Sequence, residues 1–198
     1  MGQRPGYAGG ELKPEAGGDP ANPMEEEAQL PTDNQLLAEI AALRDGQCSV
    51  ILATVGADGE PNAGYAPYAR AAEGQFLVLL SGLARHCRDL LETRRVSLLF
   101  IEPESEARQV FARRRLTCRC AAIEVARGSD GFDEGVNALS QRFGAIVDTL
   151  GELSDFRLFR LDPQSARYVR GFGQAYELEG PGLSKPVHVR PRSNDPPS

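Results

Sequence analysis

The chain has 198 residues, enough for one domain with tails, and its 41% apolar content suffices for a buried core. A formal net charge of −6 argues against broad nucleic-acid binding, and no apolar run approaches the length of a membrane-spanning helix. The opening MGQRPGYAGG lacks the apolar core of a secretory signal, so Cys48, Cys87, Cys118 and Cys120 are expected as reduced thiols in a cytoplasmic protein.

Residues 1–31 are rich in Gly, Pro and Glu and are expected to be a disordered tail, with Glu25-Glu26-Glu27 a solvated acidic run. A helix follows. Thr32 and Gln35 have capping-box spacing, Leu36, Leu37, Ile40 and Leu43 form an apolar stripe, and Gly46 stops it. Cys48 to Val55 (CSVILATV) reads as a strand, with Cys48 expected to be packed in the core. After a turn at 56–61, Asn62 to Arg70 (NAGYAPYAR) pairs back, and Pro67 marks it as an edge strand or a bulge. Its small residues Ala63, Gly64 and Ala66 would let a flat ring approach the backbone; the plain alternative is a hairpin edge with Tyr65 and Tyr68 as ordinary sheet aromatics.

Phe76 to Leu80 reads as a buried strand ending in a Ser81-Gly82 turn, after which a short helix carries Arg85, His86, Arg88, Leu90 and Leu91. A hydroxyl, free backbone N–H groups, the positive end of a helix dipole and a guanidinium together suit a phosphate. A basic helix start exposed to water is the competing reading. Val96 to Ile101 is apolar on both faces and reads as a core strand, and Glu102 to Arg108 as a polar surface loop. Phe111 to Thr117 (FARRRLT) leads a third strand, on which Arg113 and Arg115 would face one way and Arg114 the other, and on which Cys118 and Cys120 share a face.

Ser129 or Asp130 caps a helix through Phe143, with Phe132, Val136, Leu139 and Phe143 on one face. A short helix and turn follow over 144–154. Phe156 to Asp162 reads as a strand, Asp162-Pro163-Gln164-Ser165 as a turn, and Ala166 to Leu178 as the closing strand, where Gly171 and Gly173 suggest a bulge or a close backbone approach. Gly180 to Ser198 is expected to be a flexible tail, and His188 falls in it. With two histidines and no C-x-x-C pair, no structural zinc site is expected.

Four words, SGLARHCRDLL (81–91), VSLLFIE (96–102), FARRRLT (111–117) and GFGQAY (171–176), resemble in order and spacing the FMN-binding split β-barrel family that includes pyridoxamine 5′-phosphate oxidase. More narrowly they resemble its haem-utilisation branch, the HugZ/HutZ type. The resemblance implies a mainly β fold: a six-stranded split β-barrel over residues 32–179, with helices at its flanks. It implies a homodimer with FMN at the subunit interface, a small-molecule substrate, and no nucleic-acid or membrane partner. Ser81, Arg85 and His86 would hold the FMN phosphate, an Arg-Lys pair common in the family appearing here as Arg85-His86. Gly64, Tyr65, Ala66 and Pro67 would lie along the flavin, and Arg115 would border the cofactor. The activity implied is that of an FMN-dependent oxidoreductase, in which the cofactor supplies the redox chemistry; no catalytic residue is assigned. The alternative is haem binding and degradation, in which His188 would be the iron ligand and Arg115 would handle haem. A third reading is a non-catalytic cofactor-binding dimer.

Overall fold

The computed structural model describes residues 30–189; the expectations for residues 1–29 and 190–198, the acidic run included, lie outside that range. Helix α1 (Asp33–Asp45) starts from the capping box: the Thr32 hydroxyl accepts from Gln35 N at 3.3 Å, and Gln35 Oε1 accepts from Thr32 N at 2.9 Å. Its Leu36 and Ile40 are buried against the sheet. Strand β1 (Ser49–Val55) alternates strictly, with Val50, Leu52 and Thr54 inward and Ile51 and Ala53 outward. Strand β2 (Pro61–Pro67) returns antiparallel along it. Tyr68 breaks the run, and β3 (Ala69–Arg70) then pairs with β4 (Phe76–Ser81).

Helix α2 (Arg85–Thr93) closes at Arg94, whose left-handed backbone (φ 56°) turns the chain into β5 (Arg95–Ile101). Strand β6 (Arg115–Val125), helices α3 (Asp130–Phe143) and α4 (Ile146–Glu152), and strands β7 (Phe156–Gly171), β8 (Gln174–Glu179) and β9 (Lys185–His188) complete the chain. The sheet runs β2-β1-β5-β6-β7-β4-β3, with β8 on the second half of β7 and β9 on β8, and every neighbouring pair is antiparallel. Its two ends, β2 and β3, are consecutive in the chain, but no ladder joins them among the described residues. The result is a mainly antiparallel, split-barrel-like fold with flanking helices, whose sheet is not closed.

The interior is filled by Leu52, Leu98, Leu116, Leu161 and Tyr168, and by an aromatic cluster in which Tyr68 meets Phe76 and Phe100 edge-on at 5.8 and 5.3 Å. Each such fully buried side chain contributes about 1.5–3 kcal/mol. A smaller core of Phe132, Leu139, Val147 and Leu158 fixes α3 and α4 to the outside of the sheet. There Gly135 is required, because a Cβ at that position would stand 2.4 Å from Leu158 Cδ2.

Several expectations change. The sheet has nine strands rather than six. Asp162–Ser165 is not a turn but the middle of the 16-residue β7. Strand β4 stops pairing at Leu161 and β8 starts at Ala166, so this segment has a free edge where Pro163 forfeits no hydrogen bond. The register slip between Arg119 and Cys120 absorbs the irregularity on the β6 side. The closing strand expected over 166–178 is a hairpin, the end of β7 and β8 joined through Phe172-Gly173. Cys48 is exposed, while the other three cysteines are buried. The tail expected from Gly180 onward contains β9, which puts His188 in the sheet.

Candidate functional site

At the basic turn, β4 delivers Ser81 and α2 begins at Arg85. Arg85 faces two carboxylates: Asp58 from the β1–β2 turn at 3.2 Å and Asp89, one helical turn on, at 3.6 Å. Asp89 is 3% exposed, accepts from Thr54 Oγ1 at 2.6 Å and from Asn62 Nδ2 at 3.3 Å, and so is fixed from two strands, β1 and β2, and from the start of α2. Asp58 is held below the usual carboxylate range by the Glu60 backbone N–H and by Arg85. The depression here is lined by Arg85 and Arg88 but also by Asp58, Asp89 and Glu92. The Ser81 hydroxyl is engaged as well, donating to Asp155 at 2.9 Å and accepting from Leu83 N at 3.3 Å. His86 lies against Gly64, where a Cβ would come within 2.7 Å of its Nδ1, and burial lowers the imidazole pKa. Two guanidiniums against three carboxylates beside a neutral imidazole do not fit the dianionic phosphate of FMN: like charges would oppose it.

Strand alternation divides the four residues expected along the flavin. Gly64 pairs with Leu52 and Ala66 with Val50, on the inner face; Tyr65 pairs with Ile51 and Pro67 with Ser49, on the outer face. Tyr65 is 70% exposed and heads an outward row through Ile51, Leu99 and Thr117.

The other sequence-derived residues lie at the far end of the sheet. Arg115 pairs with Ile101, six residues along β5 from Arg95, a separation of about 20 Å. Only Arg115 of the triplet is in a strand. Phe111 sits in a short 3₁₀ turn (Val110–Ala112), Arg113 donates through Nε to Glu102 O at 2.8 Å, and Arg114 pairs with the Glu102 carboxylate at 2.6 Å. Burial works to raise the Glu102 pKa, but the Arg114 hydrogen bonds outweigh it and the carboxyl is held below its ordinary range. This clamp sets where β6 begins and leaves Arg115 donating to Arg113 O at 3.1 Å beside a shallow cavity of about 350 Å³. Phe111 and Phe172 line that cavity, 84% and 71% exposed, together with Arg167 and Val169.

His188 is nearby but in a different row. It pairs with Tyr176, with its ring 5.2 Å from that of Tyr176, whereas Arg115 pairs with Val169, which pairs with Ala175. The two residues therefore occupy opposite faces of the sheet by register. His188 Nε2 lies 3.0 Å from Gly173 O, a group that only accepts, so Nε2 carries the proton and the lone pair is on Nδ1. The structure thus brings Arg85, His86 and Gly64 together, and separately Arg115 and the GFG hairpin, but keeps the two groups apart within the chain. Asp58, Asp89 and Glu102 were missed in the sequence. Asp89 had a signal, its i, i+4 spacing from Arg85; Asp58 had none beyond being a turn residue.

A split antiparallel barrel with a helix on the basic turn is the class these elements define. Residues 36–170 match the family model described as pyridoxamine 5′-phosphate oxidase. Over 155 residues, 78% of this chain and 88% of the relative, the chain is 44% identical to "Heme oxygenase HutZ" of Vibrio cholerae. The crystal structure of HutZ, described there as a heme storage protein, superposes with a TM-score of 0.62 at 44% identity, covering 65% of this chain and 91% of that one. Campylobacter jejuni ChuZ gives a TM-score of 0.73 at 28% identity, over 83% of this chain and 65% of the ChuZ chain. The chain belongs to the pyridoxamine 5′-phosphate oxidase-related family, and within it to the HutZ branch.

Proposed function

We propose that this chain binds haem and acts in its breakdown, and that FMN is not its native cofactor. The observation that carries the reading is the set of carboxylates Asp58, Asp89 and Glu92 around Arg85 and Arg88, where the flavin phosphate would have to sit. The relationship to HutZ supports it independently. The far end of the sheet has the complementary chemistry for haem: exposed Phe111 and Phe172 for an apolar macrocycle, and Arg115 and Arg167 for propionates. His188 Nδ1, left free by the hydrogen bond from Nε2 to Gly173 O, is the candidate iron ligand; because His188 lies on the opposite face of the sheet from Arg115, it would ligate haem held at Arg115 of a second copy. Bound haem would supply its own iron for oxygen chemistry, while the chain supplies position and charge.

The proposal includes a homodimer. The outward face of β2-β1-β5-β6 presents Tyr65, Ile51, Ala53 and Leu99 on one side of the sheet, away from α1 and the core. All four cysteines are free, which suits the cytoplasm. Loss of the Soret band when the haemin complex is given a reductant in air tests turnover. Breakdown predicts bleaching by the wild type and slower bleaching by Arg115→Ala. A Soret band that persists in the wild type would leave a storage role, which the description of HutZ as a heme storage protein favours. No Soret shift on haemin addition would remove both.

A further inference from the structure

An open groove of about 620 Å³ runs along the outward face where β5 lies between β1 and β6. It shares no residue with the depression at Arg85 or the cavity at Phe111. Three arginines line it: Arg94 from the end of α2, Arg95 from the start of β5 and Arg119 from β6. Arg95 pairs with Ala121, so Arg119 is its diagonal neighbour on the same face, with Cα atoms about 7–8 Å apart and long side chains within reach of each other. Arg94 takes the left-handed backbone (φ 56°), and its carbonyl accepts from Ala122 N at 2.9 Å, which pins that turn. Glycine takes this conformation at lower cost, and here the position carries a guanidinium instead.

Among the described residues no carboxylate lines the groove, and the three arginine side chains make no hydrogen bond, ion pair or ring contact. On the neighbouring β7, by contrast, Arg157, Arg160 and Arg167 each pair with an acid. The acids of the flanking segments are engaged elsewhere. Asp162, opposite Ala121, holds Arg160 at 3.0 and 3.3 Å, Glu124 holds Arg157, and Glu92 accepts from Ala57 N at 3.3 Å. Three cations thus share one groove without a counter-charge, the reverse of the balance at Arg85, where carboxylates outnumber guanidiniums. A guanidinium does not relieve such repulsion by losing its proton; a bound anion does. Ala53, Val55, Ser97 and Ala121 give the groove a shallow floor, with no depth to enclose an apolar body but open to close approach by oxygens. Forked donors over such a floor suit an anion with several oxygens and more than one charge. We propose that this groove binds an oligophosphate group, with Arg95 and Arg119 clamping one phosphate and Arg94 reaching the next. The groove meets the face proposed for dimerisation at Ala53, so the competing occupant is a carboxylate of a second copy.

Pyrophosphate titrated into the full chain by calorimetry at fixed ionic strength tests this, with orthophosphate and acetate as comparisons. Pyrophosphate is expected to bind about tenfold more tightly than orthophosphate, and acetate not measurably. Arg95→Gln and Arg119→Gln should each weaken pyrophosphate about tenfold, the loss of one charged contact, and Arg85→Gln should leave it within about twofold. Both substituted side chains are exposed, so the variants are expected to fold, and haemin affinity should not change in either. Pyrophosphate binding that is absent in the wild type at millimolar concentration, matched by orthophosphate, or unaffected by both substitutions would overturn the proposal. Binding lost only in Arg85→Gln would move the anion to the basic turn and overturn it too. A dimer that falls to monomer in Arg119→Gln, with pyrophosphate affinity unchanged, would assign the arginines to a second copy instead. Haemin affinity that falls with pyrophosphate affinity would make them part of the haem site and overturn a separate groove.

Discussion

His86 rests on Gly64 because only a glycine leaves room for the imidazole there. Burial lowers its pKa, and the nearby Asp89 offsets that in part. The folded chain therefore binds this proton less readily than the unfolded chain, whose histidine titrates near 6.5. Stability from this group is present above about pH 6.5 and is lost as pH falls toward the depressed folded value. NMR titration should show the His86 ring protonating below that reference, and His86→Gln should flatten the decline of stability on the acid side. The cysteines give a second residue-scale prediction. Burial pushes Cys118 up to about 12 and Cys120 higher still, and raises Cys87. With Cys48 exposed, one thiol of the four should react promptly with an aromatic disulfide at pH 8, and the rest only after unfolding. Arg85 and His86 were legible in the sequence as a basic turn, since both lie on one short helix. Asp58 was not, because only the pairing of β1 with β2 brings that turn to Arg85. Cys48 was misread because it sits one residue before β1, where strand alternation does not yet hold it.

Arg142, in the last turn of α3, ties three elements. Its Nη1 donates to Tyr68 O at 3.0 Å, its Nη2 donates to Gln47 O, and its guanidinium lies 4.5 Å from the Tyr68 ring centroid. These contacts satisfy carbonyls at the β2–β3 break and in the loop after α1, where no ladder does so. Arg142→Ala should cost about 2–3 kcal/mol, from two charged hydrogen bonds and a cation–π contact, measured by urea unfolding. Arg142→Lys should not restore it, because a point charge cannot span both carbonyls and the ring. At this scale the helix boundaries were the most legible feature: Thr32–Gln35 and Ser129 are local capping signals and act as such. Strand ends were less so. Pro163 reads as a turn residue, yet it lies in β7 because its free edge is set by where β4 stops and β8 begins, and neither is local to it. The Arg triplet was read as a strand for the same reason: Glu102, eleven residues before Arg113, decides where β6 starts.

On the scale of the molecule, the two groups of site residues lie at opposite ends of β5, and the outward face between them carries apolar Ile51, Leu99 and Tyr65. A second copy against this face would cover it. Ile51→Arg or Leu99→Arg should convert the proposed dimer to a monomer in sedimentation, by placing unpaired charges in the contact, and weaken haemin binding with it if the site spans both copies. The barrel class was legible in the words around Ser81, Val96, Phe111 and Gly171 taken together. The proposed choice of ligand was less so, because the pairing of the basic turn's cations with Asp58 and Asp89 depends on the fold. Absorption titration of the purified chain with haemin and, in parallel, with FMN tests that choice most directly. The expected result is a shifted Soret band saturating at a fixed ratio of haem to chain, with FMN showing no retained flavin bands after desalting. Retained flavin that is lost in Arg85→Ala, with no Soret shift on haemin addition, would contradict it and return the basic turn to phosphate binding.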